Sequence, residues 1–182
     1  RVYQYANSAW TQIGADIDGG AAGDNSGSSV SLSSDGSIVA IGAYGNDGDS
    51  TNTSDNRGHV RIYQRNGTAW SQLGVDIDGE AASDWSGRSV SLSSDGLTVA
   101  IGAINNDGDS SDTSDNRGHV RVYQYNGSAW TQLGADIDGE AADDRSGRSV
   151  SLSSDGTILA IGANQNDGDS TNTSDNRGHV RI

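Results

Sequence analysis

Several residue types are absent from this 182-residue chain. It contains no cysteine, proline, methionine or phenylalanine, and its 11 basic residues are all arginine. Without cysteine, neither a disulfide framework nor a thiolate metal site can form. No run of 18 apolar residues occurs, so the sequence predicts no insertion into a membrane.

Positive charge is also scarce. Aspartate and glutamate number 25 against those 11 arginines, which gives a formal net charge of −14 at pH 7. Nucleic acids bind proteins through clustered lysine and arginine, and here every arginine sits close to aspartates. We therefore expect no nucleic-acid partner, and anionic membranes are disfavoured for the same reason.

The chain consists of one sequence unit written three times. Residues 1–60 align without a gap on residues 61–120 and on the segment that begins at residue 121, and 41 of the 60 columns are identical in all three. We take the repeat units as 1–60, 61–120 and 121–182. Copies this similar are expected to adopt one structure three times. The 26 glycines and the short aliphatic runs favour strands joined by tight turns.

Four strands are predicted in each unit. Serine and aliphatic residues alternate in the first strand, and Asp35-Gly36 turns the chain into an apolar second strand. A polar loop, residues 44–58, leads to the third strand, and Asn66-Gly67 turns it into the fourth. In the first period these strands are residues 29–33, 38–43, 59–64 and 69–74.

The predicted fold is all-β, with tandem four-stranded antiparallel blades of the β-propeller type. The blades are offset from the repeat units. They span roughly residues 26–78, 86–138 and 146–182, the last completed by residues 1–17 of a neighbour. The alternative is a β-solenoid, whose coils are usually much shorter. The residues expected to be buried are Val30, Leu32, Ile41 and Ile62 with their copies.

Three short segments resemble the FG-GAP repeat of integrin-α-type propellers. In the second unit they are Ser86-Gly87-Arg88-Ser89-Val90-Ser91, Val99-Ala100-Ile101-Gly102-Ala103 and Gly118-His119-Val120-Arg121-Val122-Tyr123. Serine replaces the family's opening phenylalanine, and the proline of its Gly-Ala-Pro element is missing. The family's calcium loop is reduced to Ser-Ser-Asp-Gly, so that site is not carried over. Each unit also contains a segment of the type Trp-Thr-Gln-Leu-Gly-Ala-Asp-Ile-Asp-Gly. This segment looks similar to repeats of large surface proteins of algae and aquatic bacteria, which implies an extracellular or cell-surface location.

The long loop carries candidate calcium ligands. Aspartates recur there at alternate positions, and calcium binds hard oxygen ligands of this kind. The candidates are Asp47, Asp49, Asp55, Asp107, Asp109, Asp115, Asp167, Asp169 and Asp175. The order is not that of an EF-hand, and aspartate also stabilises long loops through Asx-turns without metal. We expect no required cofactor, with calcium as the one candidate.

An acidic pair and a histidine recur in each unit without a catalytic pattern. Asp16 and Asp18, two residues apart, lie on one face of an extended chain. Equivalent exposed pairs lack the asymmetry that a glycosidase needs. His59 and its copies are candidate metal ligands or bases, but a lone histidine more often caps a strand edge by hydrogen bonding, and no nucleophile motif accompanies them. We therefore expect that the chain is not an enzyme. Arg57 beside Asp55 is expected to fasten the loop as an internal ion pair or a hydrogen-bond donor.

The remaining candidate functional residues are aromatic side chains and the asparagines of N-glycosylation sequons. Trp10 and its copies are expected in a blade core or a blade-to-blade contact. Trp85 replaces Asn25 and Arg145 of the other units, so it is a candidate for stacking on a sugar or contacting a neighbouring subunit. N-glycosylation is expected only if the protein passes through a eukaryotic secretory pathway. The sequons begin at Asn52, Asn66, Asn126 and Asn172.

The third-strand sequence His-Val-Arg-Ile-Tyr-Gln is intact twice, while its first half ends the chain and its second half begins it. We therefore expect the array to continue, in a longer chain or by head-to-tail contacts between copies that form an open filament. A ring of six blades from two chains is the alternative. The first residues lack the regions of a signal peptide, so any export signal is expected outside the segment.

Two functions are compatible with these features. The first is an extracellular structural repeat protein that forms part of a filament, sheath or cell-surface matrix, with copies of itself as partners. The alternative is a ligand-binding or adhesive propeller module, integrin-like or lectin-like, that binds glycans or surface proteins. Near-identity of the units favours the first.

Overall fold

The fold is built from antiparallel strands. The structure is a computed structural model that describes residues 1–48, 52–108, 112, 114–168 and 175–182. Within those residues it contains strands and no helix, which confirms the all-β prediction. A helix long and apolar enough to cross a membrane is likewise absent from the described residues.

Fifteen strands follow one another along the described chain. They are β1 (Tyr3–Ala6), β2 (Ala9–Gln12), β3 (Ser29–Leu32), β4 (Ile38–Ala43), β5 (His59–Asn66), β6 (Ala69–Gln72), β7 (Ile77–Asp78), β8 (Ser86–Leu92), β9 (Thr98–Ala103), β10 (His119–Tyr125), β11 (Trp130–Gln132), β12 (Ile137–Asp138), β13 (Ser146–Leu152), β14 (Leu159–Ala163) and β15 (His179–Arg181).

The strands form four sheets within the described part of the chain. Two are meanders in which each strand pairs with the next, β3-β4-β5-β6 and β8-β9-β10-β11. Strands β13, β14 and β15 form a third sheet, and β1 pairs with β2 alone. Tyr3 lies opposite Gln12 as Tyr63 lies opposite Gln72, so the β1–β2 hairpin is the counterpart of the β5–β6 hairpin. None of these sheets closes on itself.

One aspartate and one glycine set the turn between the first two strands of a unit. Gly36 has a φ of 68°, which residues with a Cβ rarely adopt. Asp35 Oδ1 accepts hydrogen bonds from the Ser37 backbone N–H at 2.9 Å and from the Ser37 and Ser33 hydroxyls at 2.7 and 2.8 Å. These bonds lower the pKa of Asp35 to about 2. Strand β3 pairs with β4 across this turn, so the predicted hairpin is confirmed.

A short strand that the sequence did not predict lies beside each complete third strand. Strand β7 pairs with the start of β5 and places Asp78 opposite His59. Strand β12 pairs with β10 in the same way and places Asp138 opposite His119. Two residues are too few to show an alternating pattern. The pairing brings the acidic pair next to the histidine that opens the third strand.

The core lies between consecutive sheets rather than within one. Val60 and Ile62 of β5 are fully buried, as predicted for Ile62. They belong to a cluster whose buried members from both sheets are Ile38, Ala40, Val60, Ile62, Ile77, Val90, Leu92, Val99 and Ile101. A second cluster joins the next two sheets through Ala100, Val120 and Ile161. The apolar faces that meet between consecutive sheets are therefore removed from water.

Three residues predicted to be buried are exposed, namely Val30, Leu32 and Ile182, a copy of Ile62, which is 91% exposed. Val30 is 63% exposed and Leu32 is 49% exposed, whereas their copies Val90 and Leu92 are 8% and 7% exposed. The cause is position, because the sheet β3-β4-β5-β6 covers Val90 and Leu92, while no complete sheet precedes β3 in the described residues. The prediction is correct for Ile41, which is 9% exposed.

Candidate functional site

The contacts between consecutive sheets recur with the period of the repeat. Ser29 Oγ donates a hydrogen bond to the carbonyl oxygen of Gly87 at 2.7 Å. Sixty residues later, Ser89 Oγ donates to the carbonyl oxygen of Gly147, also at 2.7 Å. Each bond joins the first strand of one sheet to the first strand of the next. We call the region between two consecutive sheets the junction.

A second pair of junction bonds lies farther along the same strands. The Leu92 backbone N–H donates to Ser31 Oγ at 2.9 Å, and the Leu152 backbone N–H donates to Ser91 Oγ at 3.0 Å. The serines that alternate with aliphatic residues in the first strand therefore face the neighbouring sheet. Their hydroxyl groups satisfy backbone groups that the approach of the two strands removes from water.

Glycine is required where the sheets approach most closely. A Cβ on Gly42 would collide with the carbonyl oxygen of Gly87, and a Cβ on Gly102 would collide with that of Gly147. Gly162, the third member of this column, meets no backbone of a following sheet in the described residues. The glycine in the apolar second strand is thus explained by the junction.

The tryptophan column also lies across the junction. Trp70 Nε1 donates a hydrogen bond to the carbonyl oxygen of Ile13 at 3.1 Å, and Trp130 Nε1 donates to that of Leu73 at 2.7 Å. Trp10 is 69% exposed. A tryptophan in this column is therefore covered only when a preceding unit is beside it.

The long loop contacts the following unit through its backbone. The Ser83 N–H donates to the carbonyl oxygen of Asp55 at 2.6 Å, and the Asp143 N–H donates to that of Asp115 at 2.6 Å. The predicted ion pair is confirmed, because Arg57 donates to both carboxylate oxygens of Asp55 at 3.1 Å. The ion pair thus lies where the loop meets the next unit.

The described loop aspartates accept hydrogen bonds from, or form ion pairs with, other groups of the protein. Asp47 Oδ1 accepts a hydrogen bond from the Asn56 N–H at 2.9 Å, and Asp107 and Asp167 repeat this bond with Asn116 and Asn176. Asp115 and Asp175 contact the arginine two residues later, as Asp55 does. Within the described residues, none of these aspartates belongs to a group of three candidate metal ligands.

Calcium binding by the loop stays a prediction. Asp49, Asp109 and Asp169 lie outside the described residues. The described partners of the other loop aspartates are those of a hydrogen-bonded loop, the alternative that the sequence left open.

Trp85 contacts the preceding unit. Its ring lies against that of Tyr44, with the ring centroids 5.4 Å apart, and the Arg88 guanidinium lies 5.5 Å from the Tyr44 centroid. In the next junction the same column contains Arg145, whose Nη1 donates to Asn105 Oδ1 at 2.6 Å. The position of Trp85 and Arg145 therefore supplies a contact between units in both junctions. The contact is aromatic in the first junction and a hydrogen bond in the second.

Three of the four sequon asparagines can be placed. Asn52, Asn66 and Asn126 are exposed, and Asn172 lies outside the described residues. Asn126 Oδ1 accepts hydrogen bonds from the N–H groups of Ser128 and Ala129 at 3.0 Å, which stabilise its own turn. Glycosylation at these positions stays a prediction.

Comparisons with known proteins identify no family. No family model and no curated protein matches the chain. Among solved structures, it is similar to a crystal structure named "putative 6-phosphogluconolactonase" from Bacteroides uniformis, at 15% sequence identity and a TM-score of 0.48. The match covers 76% of this chain and 34% of that chain, so this chain spans about a third of its length. The resemblance to FG-GAP repeats stays a prediction.

One prediction is contradicted by this comparison. The sequence led us to expect that the chain is not an enzyme, yet the matched protein carries the name of one. The expectation was drawn from the absence of a recognised catalytic pattern, and such an absence cannot exclude an activity. At this level of similarity the match assigns no activity to this chain.

Proposed function

We propose that this chain is a stretch of an extracellular structural repeat protein. Its units would stack as propeller-type blades into part of a filament, sheath or cell-surface matrix. The observation that carries the proposal is the recurrence of one junction, with the same serine, glycine and tryptophan contacts sixty residues apart. A junction whose serine, glycine and tryptophan contacts recur from one unit to the next can be extended by any further copy of the unit.

The last sheet exposes the apolar face that earlier sheets bury. Ile158, Val180 and Ile182 are 58%, 67% and 91% exposed. Their counterparts in the first complete sheet are Ile38, Val60 and Ile62, which are at most 3% exposed because the second sheet covers them. The third sheet therefore presents one half of a junction.

The first complete sheet presents the other half. Val30 and Leu32 line an apolar groove of about 260 Å³ together with Val39 and Ile41. We infer that a further copy of the unit covers this groove, in a longer chain or from a second copy of this one, because the two exposed faces are copies of faces that already pack on each other within the chain. Between separate chains such a contact is head-to-tail, and it generates a filament if the rotation between copies does not close.

Light scattering on the 182-residue chain tests this proposal. The expected weight-average mass rises with concentration, and electron microscopy shows elongated particles. Leu32→Asp should abolish association, because burying an unpaired charge in an apolar junction is costly. Val75→Asp is the matched control, since Val75 is 74% exposed and belongs to neither end face.

The proposal fails if the wild-type chain stays monomeric up to high concentration. It also fails if Leu32→Asp and Val75→Asp associate equally well. A particle that stops at two chains would support a closed ring in place of the open filament.

The ligand-binding alternative has weaker support from the described residues. Its one unit-specific aromatic candidate, Trp85, already contacts Tyr44 of the preceding unit. The repeated junction is the better basis for a proposal of function.

A further inference from the structure

His119 is a buried histidine whose Nδ1 has no hydrogen-bond partner in the described residues. The side chain opens β10 and is 1% exposed. Nδ1 is removed from water. Buried polar atoms are nearly always hydrogen-bonded, so an orphaned ring nitrogen requires an explanation.

Three carboxylate groups surround this nitrogen at a uniform distance. Nδ1 lies 3.7 Å from Asp136 Oδ2, 3.9 Å from Glu80 Oε2 and 3.9 Å from Asp138 Oδ1. These separations are too long for hydrogen bonds. They suit a shared cation, because two atoms that each lie about 2.1 Å from one ion stand at most about 4.2 Å apart.

Two of these carboxylates are held by contacts to the oxygen that does not face Nδ1. Gln132 Nε2 donates a hydrogen bond to Asp136 Oδ1 at 2.6 Å, and Arg121 Nη1 lies 3.3 Å from Glu80 Oε1. In each case the oxygen that faces Nδ1 is the other one. Partners of this kind, which hold the far side of a ligand, are typical of metal sites.

A neutral imidazole nitrogen is a common metal ligand in proteins. His119 Nδ1 and the carboxylate oxygens that face it therefore offer a donor set of one nitrogen and several oxygens.

We propose that His119 Nδ1, Glu80 and Asp136 bind a divalent transition-metal cation, with zinc as the test ion. One ligand atom from each of the three side chains lies within 4.8 Å of the other two. Imidazole together with carboxylate suits zinc and its neighbours in the first transition row, whereas calcium prefers oxygen ligands alone. An open cavity of about 440 Å³ beside Glu80 and Asp136 leaves room for the ion and its water ligands.

The equivalent position in the first unit provides a natural comparison. His59 is also buried, and its Nδ1 lies 3.5 Å from Asp76 Oδ2. His59, Asp76 and Asp78 can also bring one ligand atom each within 4.8 Å of one another. However, Gly20 stands where the second unit has Glu80, and Arg61 pairs with that same Asp76 oxygen at 2.8 Å. In the second unit Arg121 pairs with Glu80 and leaves Asp136 Oδ2 facing the histidine.

The ion would also join two sheets. Glu80 follows β7 of one sheet, while His119 opens β10 of the next and Asp136 follows β11. Zinc is therefore expected to raise the melting temperature, because a ligand of the folded state stabilises it.

Calorimetric titration of the metal-free 182-residue chain with zinc chloride tests the site. We expect about one strongly bound ion per chain, with calcium chloride giving much weaker binding. Glu80→Gln should weaken zinc binding by at least about tenfold. The Glu80 side chain is 45% exposed, so this variant is expected to fold, and its melting temperature without metal provides the check. His119→Gln should abolish binding, and His59→Gln should leave it unchanged.

A gain-of-site variant gives an independent readout. Gly20→Glu is expected to add a second zinc ion per chain, because the new carboxylate would draw Arg61 away from Asp76. A Cβ at Gly20 would have as its nearest neighbours Arg61 Nη1 at 3.2 Å and Asp24 Oδ2 at 3.3 Å, both ends of side chains. The proposal is overturned if zinc does not bind the wild-type chain, or if a folded Glu80→Gln variant binds it with unchanged affinity.

Discussion

Replacing Gly102 with alanine is expected to lower the free energy of unfolding by about 3 kcal/mol, because overpacking a closely fitted site forces backbone shifts. The new Cβ would collide with the carbonyl oxygen of Gly147, a backbone atom of the next sheet that cannot rotate away. That carbonyl also accepts the junction bond from Ser89. The substitution therefore acts on the packing of two sheets and on the bond between them.

Gly162→Ala is the matched control for this prediction. Its Cβ would meet the hydroxyl of Ser149 within its own sheet, as a Cβ at Gly102 would meet that of Ser89, but it would meet no backbone of a following sheet. Urea unfolding of the two variants measures the difference. An equal loss of stability would show that the collision within the sheet, and not the junction, makes glycine necessary.

Ile62→Ala is expected to cost about 3 kcal/mol of unfolding free energy, within the range for removing a buried isoleucine. Ile62 is fully buried in the cluster between the first two complete sheets. Truncation removes apolar contacts and leaves a cavity at the junction. Urea unfolding of the variant measures the loss.

Ile182→Ala removes the same atoms at the same position of the repeat. Ile182 is 91% exposed, so its truncation should change the stability by less than about 0.5 kcal/mol. Measurements at low concentration keep copies apart. If Ile62→Ala were as mild as Ile182→Ala, the core between sheets would contribute little to the fold.

The strands and turns could be predicted from the sequence because their causes are local. Alternating residues gave the first strand, and Asp35 with Gly36 gave its turn through hydrogen bonds and a positive φ. The long loop was also located, and its Arg57–Asp55 ion pair was anticipated.

Burial could not be predicted from local sequence. Residues 29–32 and 89–92 have the same sequence, yet Val30 is exposed and Val90 is buried. The difference comes from the neighbouring sheet, which no local pattern records. The cluster at His119 escaped notice for a related reason, because the two-residue strand β12 brings the acidic pair beside it.

Thiol labelling tests the repeated junction most directly. The chain has no cysteine, so a single introduced cysteine reports the accessibility of one position. In dilute protein, Val30→Cys should react with a maleimide at least about tenfold faster than Val90→Cys, because reaction of a covered thiol requires local opening. With one more copy of residues 61–120 joined before Arg1, the cysteine at position 30 should react as slowly as the one at position 90. Rapid labelling of that cysteine in the lengthened chain would contradict the claim that every unit packs on the next through the same junction.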